Sequence, residues 1–224
     1  FFFAIGSQVY TYYSRQFSAS WMNFIKATIA FTAFGITLCF LDQWHSIPLE
    51  YIGLLLLSGA IGLGVGDIFL LKAFSEIGPG RTLILFGFQP LILGLFGYAL
   101  FDQQIDIQKL TAIFFFLLCL ATFSIEAFKK SGKWQLMGIL MAGLGMCLDA
   151  CGIVMTRFVF EKAQYIVPLE GNFYRCLGAI GVYIIINYFT TINVFKRFRS
   201  LQFKGQSIVI IGCLLGTYLS LMFY

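Results

Sequence analysis

Four ionisable side chains stand inside stretches otherwise fit for lipid. They are Lys26 in WMNFIKATIAFTAFGITLCF, Asp67 after the run IGLGVG, Asp149 in LMAGLGMCLDACGIVMTRF, and Arg175 in GNFYRCLGAIG. A charge at the bilayer centre costs roughly 2.5–3.5 kcal/mol on insertion scales, so such groups ordinarily face a bundle interior or a watery cavity and find a partner there. The chemistry open to this set is ionic. The two cations can attract anionic groups, and the two carboxylates can balance them or take up a proton. Lys26 also belongs to a phrase, Asn23-Phe24-Ile25-Lys26, that returns 149 residues later as Asn172-Phe173-Tyr174-Arg175.

Counting along the stretches sets the depth of each group. Lys26 lies about four residues before the middle of its stretch and Asp67 about five after the middle of the next, so in antiparallel helices both sit roughly 7 Å to one side of the midplane. By the same count Arg175 and Asp149 share a depth roughly 4–5 Å to the other side. Each couple is placed to form an ion pair. The competing reading for Lys26 and Arg175 is snorkelling, with a buried stem and a head at the interface, and Trp21 would then mark an interface near Lys26. Asp67 and Asp149 have short stems, which leaves a gating or ion-coupling role or a purely structural ion pair.

Further polar groups could join them. Asn23, Asn172 and Gln89 are the candidate substrate-binding companions of Lys26 and Arg175, the alternative for the two asparagines being hydrogen bonds that only tie helices together. Gln8, Tyr10, Tyr12 and Tyr13 either line a cavity or, for the tyrosines, form an interfacial belt. Pro90 lacks a backbone N–H and is expected to bend its helix, freeing a carbonyl that a cavity could use or simply making a kink. The six cysteines, Cys39, Cys119, Cys147, Cys151, Cys176 and Cys213, all lie in apolar runs and read as small hydrophobes. With one histidine in the chain, His45, neither a metal site nor a cofactor is expected. Glu126, Lys129, Lys130 and Lys133 cluster at a membrane exit and read as solvated.

The elements that position these residues must be membrane helices. The chain is 59% hydrophobic and 11% charged over 224 residues, too apolar for one soluble core. Its apolar runs are about 20 residues long, enough at roughly 1.5 Å per residue to cross the hydrocarbon layer, and they lack the alternation of barrel strands. The net charge of +5 suits loops near anionic headgroups rather than nucleic acid. Polar punctuation divides the chain into eight spans, near 1–13, 20–41, 51–74, 81–101, 107–128, 134–160, 166–189 and 206–224. The fold class is therefore all-α, a polytopic membrane helical bundle.

A second repeat signal follows the first. Ser58, Gly62 and Gly66 are spaced four apart in the third span, and Gly212, Gly216 and Ser220 repeat that spacing 154 residues on, in the eighth. Residues four apart share a helix face, and small ones there let two helices pack closely in lipid. Residues 1–130 then form a first repeat of five helices, the first of them clipped. Residues 131–224 form a second that stops at its third helix, as a fragment would. An odd number of helices per repeat inverts the second copy, and inverted repeats are a transporter device enclosing a midplane site that can open to either side.

The run GDIFLLKAFSEIGPGRTLILFGFQPLILGLFGYALFDQQIDIQKLTAIFFFLLCLATFSIEAF resembles the third to fifth helices of EamA-type members of the drug/metabolite transporter superfamily. Such proteins have two five-helix copies, a small-residue third helix, a fourth helix with a proline (here Pro90) and a short acidic turn. The turn departs from the usual Gly-Glu, reading Phe101-Asp102-Gln103-Gln104. The resemblance implies a transporter, and with the inverted repeat and the four charges the expectation is a secondary transporter that moves a small polar or charged metabolite by alternating access in the plasma or bacterial inner membrane. Protons are the candidate coupling ion and a homodimer the candidate assembly. No G-x-x-x-x-G-K-[ST] loop is present, so no built-in ATPase is expected. Basic residues favour loops after odd-numbered spans (Arg15, Arg81, Lys129, Lys130, Lys133, Lys196, Arg197, Arg199, Lys204) over even ones (Lys109, Arg157, Lys162), which would put the odd loops in the cytoplasm. The resemblance implies the reverse, and orientation stays open. The alternative function is a scaffold or lipid-handling subunit whose charges only lock helices together. An enzyme is not expected, because one histidine and scattered acids supply no nucleophile or metal set.

Overall fold

A computed structural model describes residues 2–101, 136–190 and 193–222, with scattered helical positions between 107 and 125. The Asp102–Gln104 turn, Lys109, Cys119, the Glu126–Lys133 cluster and the repeat boundary near 130 lie outside the described residues. Every described element is a helix, and six helices are long and apolar enough to cross a membrane.

Helix α1 covers Phe2–Gln16 and α2 covers Ala19–Leu41. Ser18 starts α2 by accepting the Trp21 backbone N–H at 3.1 Å, and Asp42, in the left-handed region at φ 49°, ends it. Helix α3 runs Leu49–Ile77 and closes at Gly78, whose φ of 83° suits a residue without a Cβ. Pro79 then opens α4 at a position where its missing N–H costs nothing. The fourth span, Pro79–Leu100, is interrupted ahead of Pro90. It consists of Pro79–Phe86 and Gln89–Phe101, separated by Gly87 and Phe88, because Pro90 cannot bond back to Phe86 and its ring crowds that turn. Helices α5 (Leu136–Lys162) and α6 (Pro168–Thr190) follow. A short α7 (Val194–Arg199) occupies a stretch read above only as a charged loop, and α8 (Phe203–Met222) is the last described span.

Two helices widen to i→i+5 turns, α3 at Ala60–Gly66 and α8 at Leu214–Leu219. Both fall on the small-residue stripes, at equivalent places along them. A widened turn turns carbonyls away from the helix ladder, and side chains collect them. Asn23 Nδ2 donates to the carbonyls of Leu63 at 2.9 Å and Gly64 at 3.2 Å, while the Tyr10 hydroxyl donates to that of Gly212 at 3.2 Å.

The stripes make close helix contacts, and α3 meets α6 more closely still, where a Cβ on Gly59 or Gly178 would overlap the backbone of Arg175 or Leu56. On α1, a Cβ added to Gly6 would come within 2.5 Å of the Gly216 Cα on α8. On α5, one added to Gly152 would meet the Ser58 carbonyl oxygen at 2.8 Å and the Gly62 Cα at 3.2 Å on α3. Thus α1 packs against α8 and α5 against α3, an exchange between the first and second halves of the chain. The hydroxyl of Ser58 reinforces the second contact through the Gly152 carbonyl at 2.7 Å and Thr156 Oγ1 at 2.6 Å. Such interhelical bonds add about 0.6 kcal/mol each, so close packing carries most of the adhesion. Trp21 does not belong to a lipid-facing belt. It is fully buried in a cluster with Tyr10, Met22 and Phe74, and its Nε1 donates to the Val194 carbonyl at 3.2 Å.

Candidate functional site

The four intramembrane charges line one cavity of about 240 Å³, together with Gln89, Leu63, Thr217 and Leu221. Lys26 arrives from the first half of α2, Asp67 from the end of the widened turn in α3, Asp149 from α5 and Arg175 from α6. Lys26 and Asp67 form a direct ion pair and are only 4% and 6% exposed. The aromatic face of Tyr10 lies 5.6 Å from the Lys26 Nζ, a second favourable contact for the ammonium. Neither basic residue snorkels, since Arg175 is 5% exposed and turned into the protein.

The second expected pair does not form. Asp149 Oδ2 instead accepts a hydrogen bond from Gln89 Nε2 at 2.7 Å, and Arg175 Nη1 donates to Asn172 Oδ1 at 3.3 Å. Gln89 reaches Asp149 because the break ahead of Pro90 restarts α4 at Gln89 beside α5, so the proline acts through the residue it displaces. Arg175 Nε is buried without a hydrogen-bond partner. The cavity wall therefore holds a neutralised lysine, a carboxylate held by an amide, and a guanidinium with unused donor capacity.

Asn23 and Asn172 are not on the cavity wall. Asn23 is fully buried against the widened turn of α3 and also bonds the Tyr183 hydroxyl, while Asn172 Nδ2 donates to the Leu221 carbonyl at 3.2 Å. Both tie helices together, and Asn172 additionally orients Arg175. Of the small residues, Ser58, Gly62, Gly66 and Gly212 sit at helix contacts, whereas Gly216 and Ser220 also border the cavity. Tyr10 and Tyr13 are buried, Tyr12 is exposed, and Gln8 opens onto a separate outer depression near Arg15. Among the described residues no group of three His, Cys, Asp or Glu side chains comes together to hold a metal.

Several contributors escape a reading of the sequence. Phe3, Phe86 and Ile153 complete the apolar wall but look like any other lipid-span residue. Thr217 carried a signal, being a polar residue next to Gly216 of the eighth-span stripe, and it meets the Tyr10 hydroxyl at 2.6 Å. Glu170 stands in the first turn of α6. It is fully buried and accepts from the His45 backbone N–H at 3.0 Å, with the His45 ring Nδ1 at 3.1 Å from its other oxygen.

Long apolar helices packed through small residues around a charged cavity define a multi-pass membrane protein of the helical-bundle class. A model of the EamA-like transporter family matches residues 1–126, more than half of the chain, and the protein belongs to that family of membrane transporters. A comparison with curated proteins found no match. The matched region contains Lys26, Asp67 and Gln89, while Asp149 and Arg175 lie beyond it.

Proposed function

We propose that the protein moves a small polar or charged metabolite across the plasma or bacterial inner membrane. The substrate binds in the cavity between residues 1–130 and 131–224, and these act as inverted repeats that rock about it. The observation that carries this reading is the Arg175 guanidinium, a buried cation on the cavity wall whose Nε has no protein partner. A buried donor without an acceptor costs about 1–3 kcal/mol, which an oxygen of an anionic group on the substrate would recover. Lys26 is already neutralised, so Arg175 makes the first contact. Asp67 and Asp149, each held by one partner, are the groups positioned to exchange partners or accept a coupling proton during the cycle.

The wall itself supports the two-repeat arrangement. Superposing the repeat offsets of 149 and 154 residues matches Lys26 with Arg175, Leu63 with Thr217 and Asp67 with Leu221, and all six residues border the cavity. A site on a pseudo-twofold axis draws equivalent positions from both halves. The bases are shared by the two halves, while Asp67 is replaced by the apolar Leu221 in the second. The scaffold reading requires both cations in direct ion pairs and no cavity. Lys26 meets that condition and Arg175 does not.

The test is flux of labelled small anions and zwitterions into proteoliposomes holding the full protein, without ATP. Losing one charge-assisted hydrogen bond costs about 1.5–3 kcal/mol, so Arg175→Gln is expected to lower flux roughly 10- to 150-fold at unchanged folding. Absence of flux for every candidate, with Arg175→Gln and Lys26→Ala folding and behaving as the parent does, refutes the assignment.

A further inference from the structure

Away from the cavity, a second crevice of about 310 Å³ opens on the outside of the bundle between α2, α6 and the segment entering α7. Its inner wall is Phe24, Tyr183 and Ile184, and its other end carries Ser20, Asn187, Asn193 and Lys196. Ile184 is 64% exposed, so the apolar end faces the acyl region rather than the protein core. Asn187 is exposed three residues before the end of a membrane helix, and among the described residues its side chain has no hydrogen-bond partner.

Helix α7 frames the polar end. Its sequence VFKRFR places Val194 and Phe198 one turn apart, and both pack on the core cluster together with Leu201. Trp21 Nε1 and Gln206 Nε2 hold its backbone through the carbonyls of Val194 and Phe198, and Gln206 also bonds the Leu201 carbonyl just beyond it. The helix is thus pinned in place, with Lys196, Arg197 and Arg199 all exposed and, among the described residues, without an ion pair. Phe195 beside them is 72% exposed, the pairing of aromatic and cationic side chains found on helices lying at a membrane surface. From Gly171 to Tyr224 the chain contains no Asp or Glu, so nothing along this part of the sequence offsets the positive field.

We infer that this crevice is a binding site for one anionic phospholipid. Its phosphate lies against Lys196 in the field of Arg197 and Arg199, its glycerol oxygens meet Ser20, Asn187 and Asn193, and an acyl chain follows Ile184 and Phe24. A soluble phosphate would have no use for the apolar end, and a neutral lipid would have none for the three cations. This site is separate from the transport cavity and stands independently of the proposed substrate.

The full protein, purified in detergent, is titrated with phosphatidylglycerol or phosphatidylcholine, and bound lipid is counted by native mass spectrometry. Phosphatidylglycerol is expected to be retained at least tenfold more strongly. Lys196→Gln is expected to weaken that retention about fivefold, the equivalent of about 1 kcal/mol for a single basic residue near an anionic surface. Asn187→Trp fills the crevice at unchanged charge and is expected to abolish the selective binding, while excess glycerol phosphate does not displace the lipid. Equal retention of both lipids, unchanged retention in Asn187→Trp, or displacement by glycerol phosphate overturns the inference, the last by identifying a site for soluble phosphate. The substituted side chains are exposed, unchanged melting is the folding control, and Asn193→Trp fills the same crevice should Asn187→Trp not fold.

Discussion

Replacing Asp67 with Asn keeps the shape of the side chain and removes its charge, leaving the Lys26 ammonium buried without its counter-ion. Breaking a buried pair from one side costs about 3–5 kcal/mol, whereas removing both charges is often neutral. Asp149 borders the same cavity and offers some residual compensation, which places Asp67→Asn near the lower end, about 3 kcal/mol. That loss lowers the ratio of folded to unfolded protein by more than about 100-fold. The double variant Lys26→Met with Asp67→Asn should return to within about 1 kcal/mol of the parent. Reversible unfolding in bicelles by steric trapping measures both. A single variant that loses less than about 1 kcal/mol, or a double variant no more stable than the single, would refute the claim that the two charges are buried against each other. Flux adds an independent readout, since the double variant is expected to fold and yet transport poorly.

Two further outcomes test the packing and the loop. A Cβ on Gly59 would overlap the Arg175 backbone carbonyl, whereas one on Gly53 meets open space. Gly59→Ala should therefore cost about 1–3 kcal/mol by forcing α3 and α6 apart, and Gly53→Ala should be neutral or gain up to about 1 kcal/mol, both by the same unfolding assay. Glu170→Leu removes the acceptor of the His45 backbone N–H and is expected to cost about 1–3 kcal/mol. Hydrogen exchange at His45 should accelerate in that variant while exchange in the middle of α6 does not.

The sequence by itself determined that the chain is a bundle of membrane helices, because about 20 consecutive apolar residues have no other way to satisfy their backbone in lipid. It also marked the small-residue stripes on α3 and α8, while the helices that meet them, through Gly152 and Gly6, came from the structure. Depth was legible as well, because rise per residue is constant, and Lys26 and Asp67 meet as counting requires. Counting does not supply the rotation of one helix about its axis relative to its neighbour. That angle turned Asp149 toward Gln89 instead of Arg175, and Asn23 toward a widened turn instead of the cavity. It depends on which ridges interlock across several helices at once, and on where α3, α4 and α8 depart from regular geometry. Only the tertiary structure could decide those points, and with them which charge on the cavity wall is left with a donor to offer.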